Sequence, residues 1–288
     1  MSWRTVVINS HSKLEYKLGY LVVRSEEVRK VHMSEISTVI VESVAVSLTT
    51  SLLCELIKNK INIVFCDEKH NPYSQLLPLN GSHDASKKLK LQHSWNEDIR
   101  KEVWTEIVKN KIIQQSKFLK ELELSQSKLL DEYTREITIG DETNREGHSA
   151  KVYFNALFGL SFSREWNTFI NSALNYGYAI LLSIFNRTIV ANGYNTQIGL
   201  FHRSEYNPHN FACDLMEPFR ILVDRLVCTM EGKELQIEHK RILQDIINQK
   251  VKIKNKLYTV NDAVYIYCKS VFDALNNDNI ELLEFYEL

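Results

Sequence analysis

The sequence predicts an α+β fold, a small N-terminal β-sheet domain followed by a larger all-α helical-bundle domain. Three observations predict it. Through residues 3–41, and again at 61–66, apolar side chains recur at every second position or in short β-branched runs. The polar, small-residue segment NGSHDASKKLK at 80–90 then breaks that pattern, and beyond it the apolar spacing is helical. With 288 residues there is room for two domains with separate cores, which sets the expected divisions at 1–79, a linker at 80–93, and 94–288.

Taken in order, residues 4–9, 21–24 and 37–42 are β-branched runs, and Leu14, Tyr16 and Leu18 alternate with Lys13, Glu15 and Lys17, so 3–41 reads as a small, largely antiparallel sheet. Ser47 offers an N-cap to a helix with the apolar stripe Leu48, Leu52, Leu53, Leu56 and Ile57, and 61–66 returns as a buried strand. Past the linker, Ser94 and Glu97 have capping-box spacing for a helix through Ile99, Val103 and Ile107, with another helical stretch at 119–133. Residues 141–159 form a short helix with Ala150, Phe154 and Leu157 on one face and Gly159 as C-cap. Residues 163–193 are apolar nearly all round, as in the central helix of a bundle. Residues 221–227 stay apolar, 234–248 are amphipathic, and KVKIKNKLYTV alternates like a strand. Its lysines 250, 252, 254 and 256 would share one exposed face, either a phosphate contact or a solvated edge. The acidic tail NNDNIELLEFYEL reads as a closing helix or a docking segment.

Composition excludes several classes. A hydrophobic content of 44% with 25% charged residues rules out a disordered chain. A formal net charge of -1 creates no global field for nucleic acid, so such a partner has to be met by a local basic surface. Cys54, Cys66, Cys213, Cys228 and Cys268 are odd in number and contain no CxxC; they read as reduced core residues. The opening MSWRTVVINS lacks the pattern of a secretory leader, and the apolar run at 178–185 is far short of the ~20 residues that span a bilayer, so a cytoplasmic protein without membrane contact is expected.

The polar groups concentrate at 199–220, where GLFHRSEYNPHNFACDLMEPFR sets a histidine, Asp214, Glu217 and an arginine in apolar sequence. On a helix, Asp214 and Glu217 stack one turn apart and repel, so something that relieves the repulsion is expected nearby: a metal ion, an arginine, or plain water. Both readings stand on sequence. Arg220 and Arg225 would complete an ion network without catalysis, and Glu146, three residues after Thr143, would serve a capping box. His202, like His148 and His209, would then be structural. Alternatively, one glutamate, one histidine and one further carboxylate from separate segments hold Mg²⁺ or Mn²⁺, the imidazole favouring Mn²⁺, with open positions for phosphodiester chemistry.

Four segments in this order, NREGHSAKVYF, ALNYGYAILLS, GYNTQIGLFH and ACDLMEPFR, resemble the CRISPR-associated adaptation integrases, the Cas-one family, in a form most similar to its type II-A branch. The resemblance runs along essentially the whole chain. It implies that Glu146, His202 and Glu217 are the metal ligands and catalytic residues, that Asp214 supports them, and that Arg220 meets the reacting phosphate. Many relatives carry Asp where this chain has Glu217, and the loop after the histidine, RSEYNPHN, departs from the Asn-rich form common in that branch. His11, Lys250, Lys252 and Lys254 are further candidates for DNA contact.

The implied activity is metal-dependent spacer integration, in which 3′-hydroxyl ends of a short duplex are joined to CRISPR repeat boundaries by transesterification. The implied partners are double-stranded DNA, a second copy of the chain held through the N-terminal domain, and a Cas-two dimer completing a heterohexamer. The type II effector nuclease and a ring-forming accessory protein follow from the branch. Two other functions stay open: a nuclease acting alone on branched DNA in repair, and a non-catalytic helical scaffold.

Overall fold

The computed structural model describes residues 4–79 and 81–287; Trp3, the start of the expected first strand, Asn80 of the linker and Leu288 of the tail lie outside the described residues. The N-terminal part comprises β1 (Arg4–Ile8), β2 (Ser12–Lys17), β3 (Tyr20–Arg24), β4 (Val28–His32), β5 (Ile36–Val41), β6 (Val46–Leu48), α1 (Thr50–Lys58), β7 (Asn62–Cys66) and β8 (Pro72–Gln75). These strands form two sheets. One has the order β1-β5-β7-β8, with β1, β5 and β7 parallel and β8 antiparallel; the other has the order β4-β3-β2-β6, antiparallel except for the parallel β2–β6 pair.

The single, largely antiparallel sheet expected from the sequence is therefore corrected. The physical reason is visible in β5, whose six residues ISTVIV are all buried, as strands of a parallel sheet covered on both faces are. Val39 and Val41 face the core shared by the sheets and α1, and Ile40 faces the helical core. Leu18 drops out of the β2 alternation because the chain turns there with φ 48°, leaving the side chain 85% exposed. The helix after β6 starts later than Ser47 suggested: Thr49 is the cap, accepting from the Leu52 N–H, and Leu48 belongs to β6.

The remainder runs α2 (Ala85–His93), α3 (Glu97–Glu121), α4 (Ser127–Glu136), α5 (Arg145–Phe158), α6 (Phe169–Ala191), α7 (Asn210–Met216), α8 (Arg220–Cys228), α9 (Ile237–Gln244), β9 (Lys250–Ile253), β10 (Lys256–Thr259) and α10 (Val260–Asn276). Most of the segment assigned to a linker is thus helix α2. Asn96, not Ser94, caps α3 by accepting from Asp98 N–H; the Ser94 hydroxyl closes α2 by donating to the Leu91 carbonyl. The larger part is not all-α, because β9 and β10 form a hairpin whose turn uses Lys254 and Asn255 at φ 46° and 65°. That hairpin breaks the lysine row: Lys250 and Lys252 stand on β9, Lys254 sits in the turn paired with Glu284, and Lys256 lies opposite Ile253.

α6 is the centre of the helical part, with Leu174, Ile180, Leu181, Ile184 and Phe185 wholly buried. Gly177 lets α8 approach: a Cβ there would lie 2.4 Å from Val223 Cγ1. Side chains from the sheets also bond α6. Asn62 donates to Ser183 Oγ at 3.0 Å, and Gln75 to the Ser183 carbonyl at 2.7 Å. Segment 280–287 makes no α-helix but docks on its own chain, with Tyr286 buried against Phe219 and its hydroxyl donating to the Pro218 carbonyl at 2.8 Å. All five cysteines are free; Cys268 is buried as expected, whereas Cys54 is exposed on α1.

Candidate active site

α3 brings three distant stretches together. Trp104 and Lys111 lie two helical turns apart, on one face of that helix. Trp104 stacks flat on Phe201 with ring centroids 4.7 Å apart and meets the His202 ring edge-on at 5.9 Å. Arg100, one turn earlier, donates to the Gly199 carbonyl at 2.7 Å. The loop holding His202 is thereby pressed onto α3.

Asp214 fixes that loop from the other side. Its fully buried carboxylate accepts from the N–H groups of Leu200, Phe201 and His202 at 2.5, 3.1 and 3.1 Å, and from His202 Nδ1 at 2.6 Å. These four bonds use the acceptor capacity of a carboxylate. A hydrogen is held on Nδ1, so Nε2 is the ring atom free to act as a ligand. Gly199 is needed for the close wrap, since a Cβ would sit 2.5 Å from the His202 carbonyl oxygen and 2.6 Å from Asp214 Oδ2.

Glu146 occupies the first turn of α5 but caps nothing. Asn144, in the left-handed region at φ 52°, accepts from Gly147 N–H at 3.2 Å, and Asp141 accepts from the N–H groups of Arg145 and Glu146 at 2.7 and 2.9 Å. With the cap made elsewhere, the Glu146 side chain turns to α3. The Lys111 ammonium donates to Glu146 and, at 2.6 Å, to Glu217 Oε2. The other oxygen of Glu217 accepts from Arg220 Nε at 2.9 Å. Arg225 takes no part; it pairs with Glu121 at 2.6 Å.

Electrostatics follow from this geometry. Burial alone would raise the Glu217 carboxyl, but the charges of Arg220 and Lys111 outweigh it and hold the pKa at about 2. Burial likewise opposes the charged Arg220, and Glu217 overcomes it, leaving the guanidinium firmly protonated. The His202 imidazole is raised chiefly by its bond to Asp214; the charges of Glu217 and Glu146 add to this. Asp224, on α8, is pushed up to about 6 by burial, although the Tyr178 hydroxyl donates to it.

A cleft of about 200 Å³ opens beside the two glutamates, lined by Lys111, Arg164, Tyr178, Arg220 and Asp224 among others. Both Arg164 and Arg220 lie over the Tyr178 ring, at 5.4 and 4.8 Å from its centroid. A larger groove of about 790 Å³ borders His202 on its other side, with Arg100, Arg203 and Tyr206 in its walls.

The donor set fits a divalent cation: two ionised carboxylates and an imidazole with one nitrogen free, of which the acids already converge on a positive charge. As the side chains lie, no three His, Cys, Asp or Glu among the described residues stand close enough together to grip an ion, and the Lys111 ammonium stands between the two glutamates.

Of the residues singled out in the sequence, Glu146, Glu217 and Arg220 are linked through Lys111 and Glu217 itself, and His202 and Asp214 form a separate pair on the neighbouring loop. His148 packs on Tyr133, and His209 precedes α7, its pKa lowered by burial. His11 lines a groove on the N-terminal sheets, and the lysines 250, 252 and 254 belong to the β9–β10 hairpin. Lys111, Trp104, Arg164, Tyr178 and Asp224 were not anticipated. For Lys111 the sequence does carry a signal, a lysine spaced seven from Trp104 and four from Ile107, on the buried stripe of α3.

Solved structures of known proteins share this architecture. A casposase bound to integration product superposes with a TM-score of 0.75 at 19% identity, over 97% of this chain and 92% of that one. A Cas1 protein from Thermotoga maritima gives 0.74 at 16% identity, over 94% and 97%. A Cas6-RT-Cas1–Cas2 complex gives 0.72 at 16%, with 97% of this chain matching 36% of that one. In sequence, the CRISPR-associated endonuclease Cas1 of Neisseria meningitidis serogroup C (strain 8013) is 33% identical over 296 residues, all of this chain and 97% of that protein. One from Pyrobaculum aerophilum is 26% identical over 233 residues, 74% of this chain and 77% of that protein. The profile of the family described as CRISPR associated protein Cas1 runs from residue 5 to residue 243, through the sheets and every segment that supplies Glu146, His202, Asp214 and Glu217. A profile match of that extent, with a relative one-third identical from end to end, places the chain in the CRISPR associated protein Cas1 family.

Proposed function

We propose that this chain is a metal-dependent spacer integrase that joins 3′-hydroxyl ends of short duplex DNA to CRISPR repeat boundaries. One observation carries the reading: Glu146 and Glu217, from separate elements, converge on a single positive charge beside a histidine whose Nδ1 is committed to Asp214. A pair of arginines beside the acids suits phosphate. The casposase relative, described as bound to an integration product, supports strand joining over simple hydrolysis.

Glu146, Glu217 and Nε2 of His202 are the groups that would hold Mg²⁺ or Mn²⁺. The ion would supply positive charge to the phosphoryl oxygens as charge builds in the transition state. Asp214 keeps the His202 proton on Nδ1 and the ring oriented. Arg220, tied to Glu217 and lying over Tyr178, presents a fixed guanidinium at the cleft wall for a non-bridging oxygen of the phosphate. In the exchange, the attacking 3′-oxygen forms a bond to phosphorus as the bond to the leaving 3′-oxygen of the repeat strand breaks. One phosphodiester replaces another, so no external energy source is needed. Because the ligands ride on helix and turn backbone, little reorganisation accompanies reaction.

The working assembly in this reading is a heterohexamer, two dimers of this chain about a Cas-two dimer, acting in the cytoplasm on prespacer and repeat DNA. The Cas6-RT-Cas1–Cas2 relatives support such a companion. The type II effector nuclease and a ring-forming protein would select the DNA upstream of this step. His11, Lys250 and Lys252 are proposed to contact DNA away from the reacting phosphate.

The test is an integration assay with end-labelled duplex and repeat-bearing plasmid, with and without companion and Mn²⁺. Glu146→Ala, His202→Ala and Glu217→Ala should each abolish most joined product while duplex binding persists, since phosphate contacts are spread over the assembly. Undiminished strand transfer in all three would refute the assignment. Nicking of branched DNA without companion and without joined product would identify a stand-alone nuclease instead.

A further inference from the structure

Lys111 is a buried ammonium, its side chain 7% exposed, and it donates to two acids that reach it from different elements. Without a cation between them, Glu146 and Glu217 would repel at low dielectric unless one bound a proton, and Lys111 relieves that repulsion with both acids ionised. We propose that Lys111 is an internal counter-cation that keeps the two carboxylates in register in the ion-free chain and must surrender its position when a divalent ion loads. The inference rests on the reading of Glu146, His202 and Glu217 as ion ligands and adds a competitor for their oxygens.

Three features support exchange over a permanent bridge. Glu217 divides its oxygens: Oε1 is held by Arg220, which can stay in place, while Oε2 goes to Lys111. The cleft of about 200 Å³ beside the acids is lined by Lys111 itself, which gives a flexible four-carbon side chain somewhere to swing. And the Glu146 end of the bridge is only partly buried, its side chain 25% exposed, so the contact can open toward the cleft. The ion-free protein is thereby stable, at the expense of ion affinity.

The experiment measures Mn²⁺ binding by the electron paramagnetic resonance of free Mn²⁺, and melting temperature in chelator and in Mn²⁺, on the full chain. Lys111→Met, which keeps length and removes charge, should bind Mn²⁺ tighter than wild type by on the order of tenfold. It should also melt lower in chelator and recover its melting temperature in Mn²⁺, a rescue that loss of a purely structural lysine would not show. Lys111→Arg keeps the charge and should melt like wild type and bind Mn²⁺ no tighter. If Lys111→Met folds only with Mn²⁺ present, the counter-cation role stands; if it is unfolded in both conditions, or binds Mn²⁺ no tighter than wild type, the role is overturned. Glu217→Gln separates this from the underlying reading. Unchanged Mn²⁺ binding in that variant removes the ion from the site altogether, whereas its loss there, with no tightening in Lys111→Met, sinks only the inference.

Discussion

Asp214 shows how much one carboxylate can organise. Asparagine would offer one acceptor oxygen where the loop presents three backbone N–H groups and an imidazole, and would turn an NH₂ toward donors. Asp214→Asn should therefore lower Mn²⁺ affinity and strand transfer by about 10–100-fold, the range for groups that orient a ligand, as read by titration calorimetry and end-labelled product. Asp224 gives a pH test. Its folded pKa of about 6 is above the ordinary 3.8, so its contribution is fully present below pH 3.8 and lost as pH rises through 6. Relative to wild type, Asp224→Asn should gain stability between pH 4 and pH 7.5, by at most about 3 kcal/mol, measured by denaturant unfolding at both. At this scale the four family segments singled out Glu146, His202 and Glu217, and the structure sets the two glutamates on one ammonium. Lys111 was passed over although it lies on the buried stripe of α3, since a lysine in a helix is ordinarily solvated and its burial depends on partners 35 and 106 residues away.

Elements were read well in kind and less well at their ends. The helices around Ala150, through 169–191 and after residue 220 all exist; in the last two most apolar residues are buried, whereas in the first Ala150, Phe154 and Leu157 are half-buried and Ser149 and Tyr153 are the buried pair. Caps shifted by two residues, from Ser47 to Thr49 and from Ser94 to Asn96. Both neighbours can cap chemically, and the choice falls to the residue where the extended backbone actually ends, which β6 and α2 decide. The tail illustrates a different limit, for nothing local announces that Tyr286 will pack behind the Glu217 turn. Its ring lies 4.5 Å from that of Phe219, and Gln114 of α3 donates to its carbonyl at 3.1 Å. Tyr286→Ala should cost about 3–5 kcal/mol through the cavity left, with strand transfer falling beyond the loss of folded protein; denaturant unfolding and an assay normalised to folded fraction check it.

For the whole molecule, the sequence conveyed two kinds of region and not their pairing. Parallel neighbours such as β1 and β5 are joined by contacts across three intervening strands, and local alternation cannot reveal them. The approach of α6 and α8 is set by Gly177, where a methyl group would collide with Val223. Gly177→Ala should destabilise by about 1–3 kcal/mol, despite alanine's better helix propensity, and show as a lower unfolding midpoint. Asn62 and Gln75 then tie the sheet side to Ser183 on the same central helix.

The docked tail has one more consequence, which concerns the order of synthesis. Residues 280–287 leave the ribosome after every ligand candidate, and the turn bearing Glu217, already packed through Phe219 on Phe185 and Tyr267, gains its last neighbour when Tyr286 arrives. A nascent chain therefore carries every ligand candidate before it has the ring that packs behind one of them, and the packing of that turn is completed only after translation has passed that point.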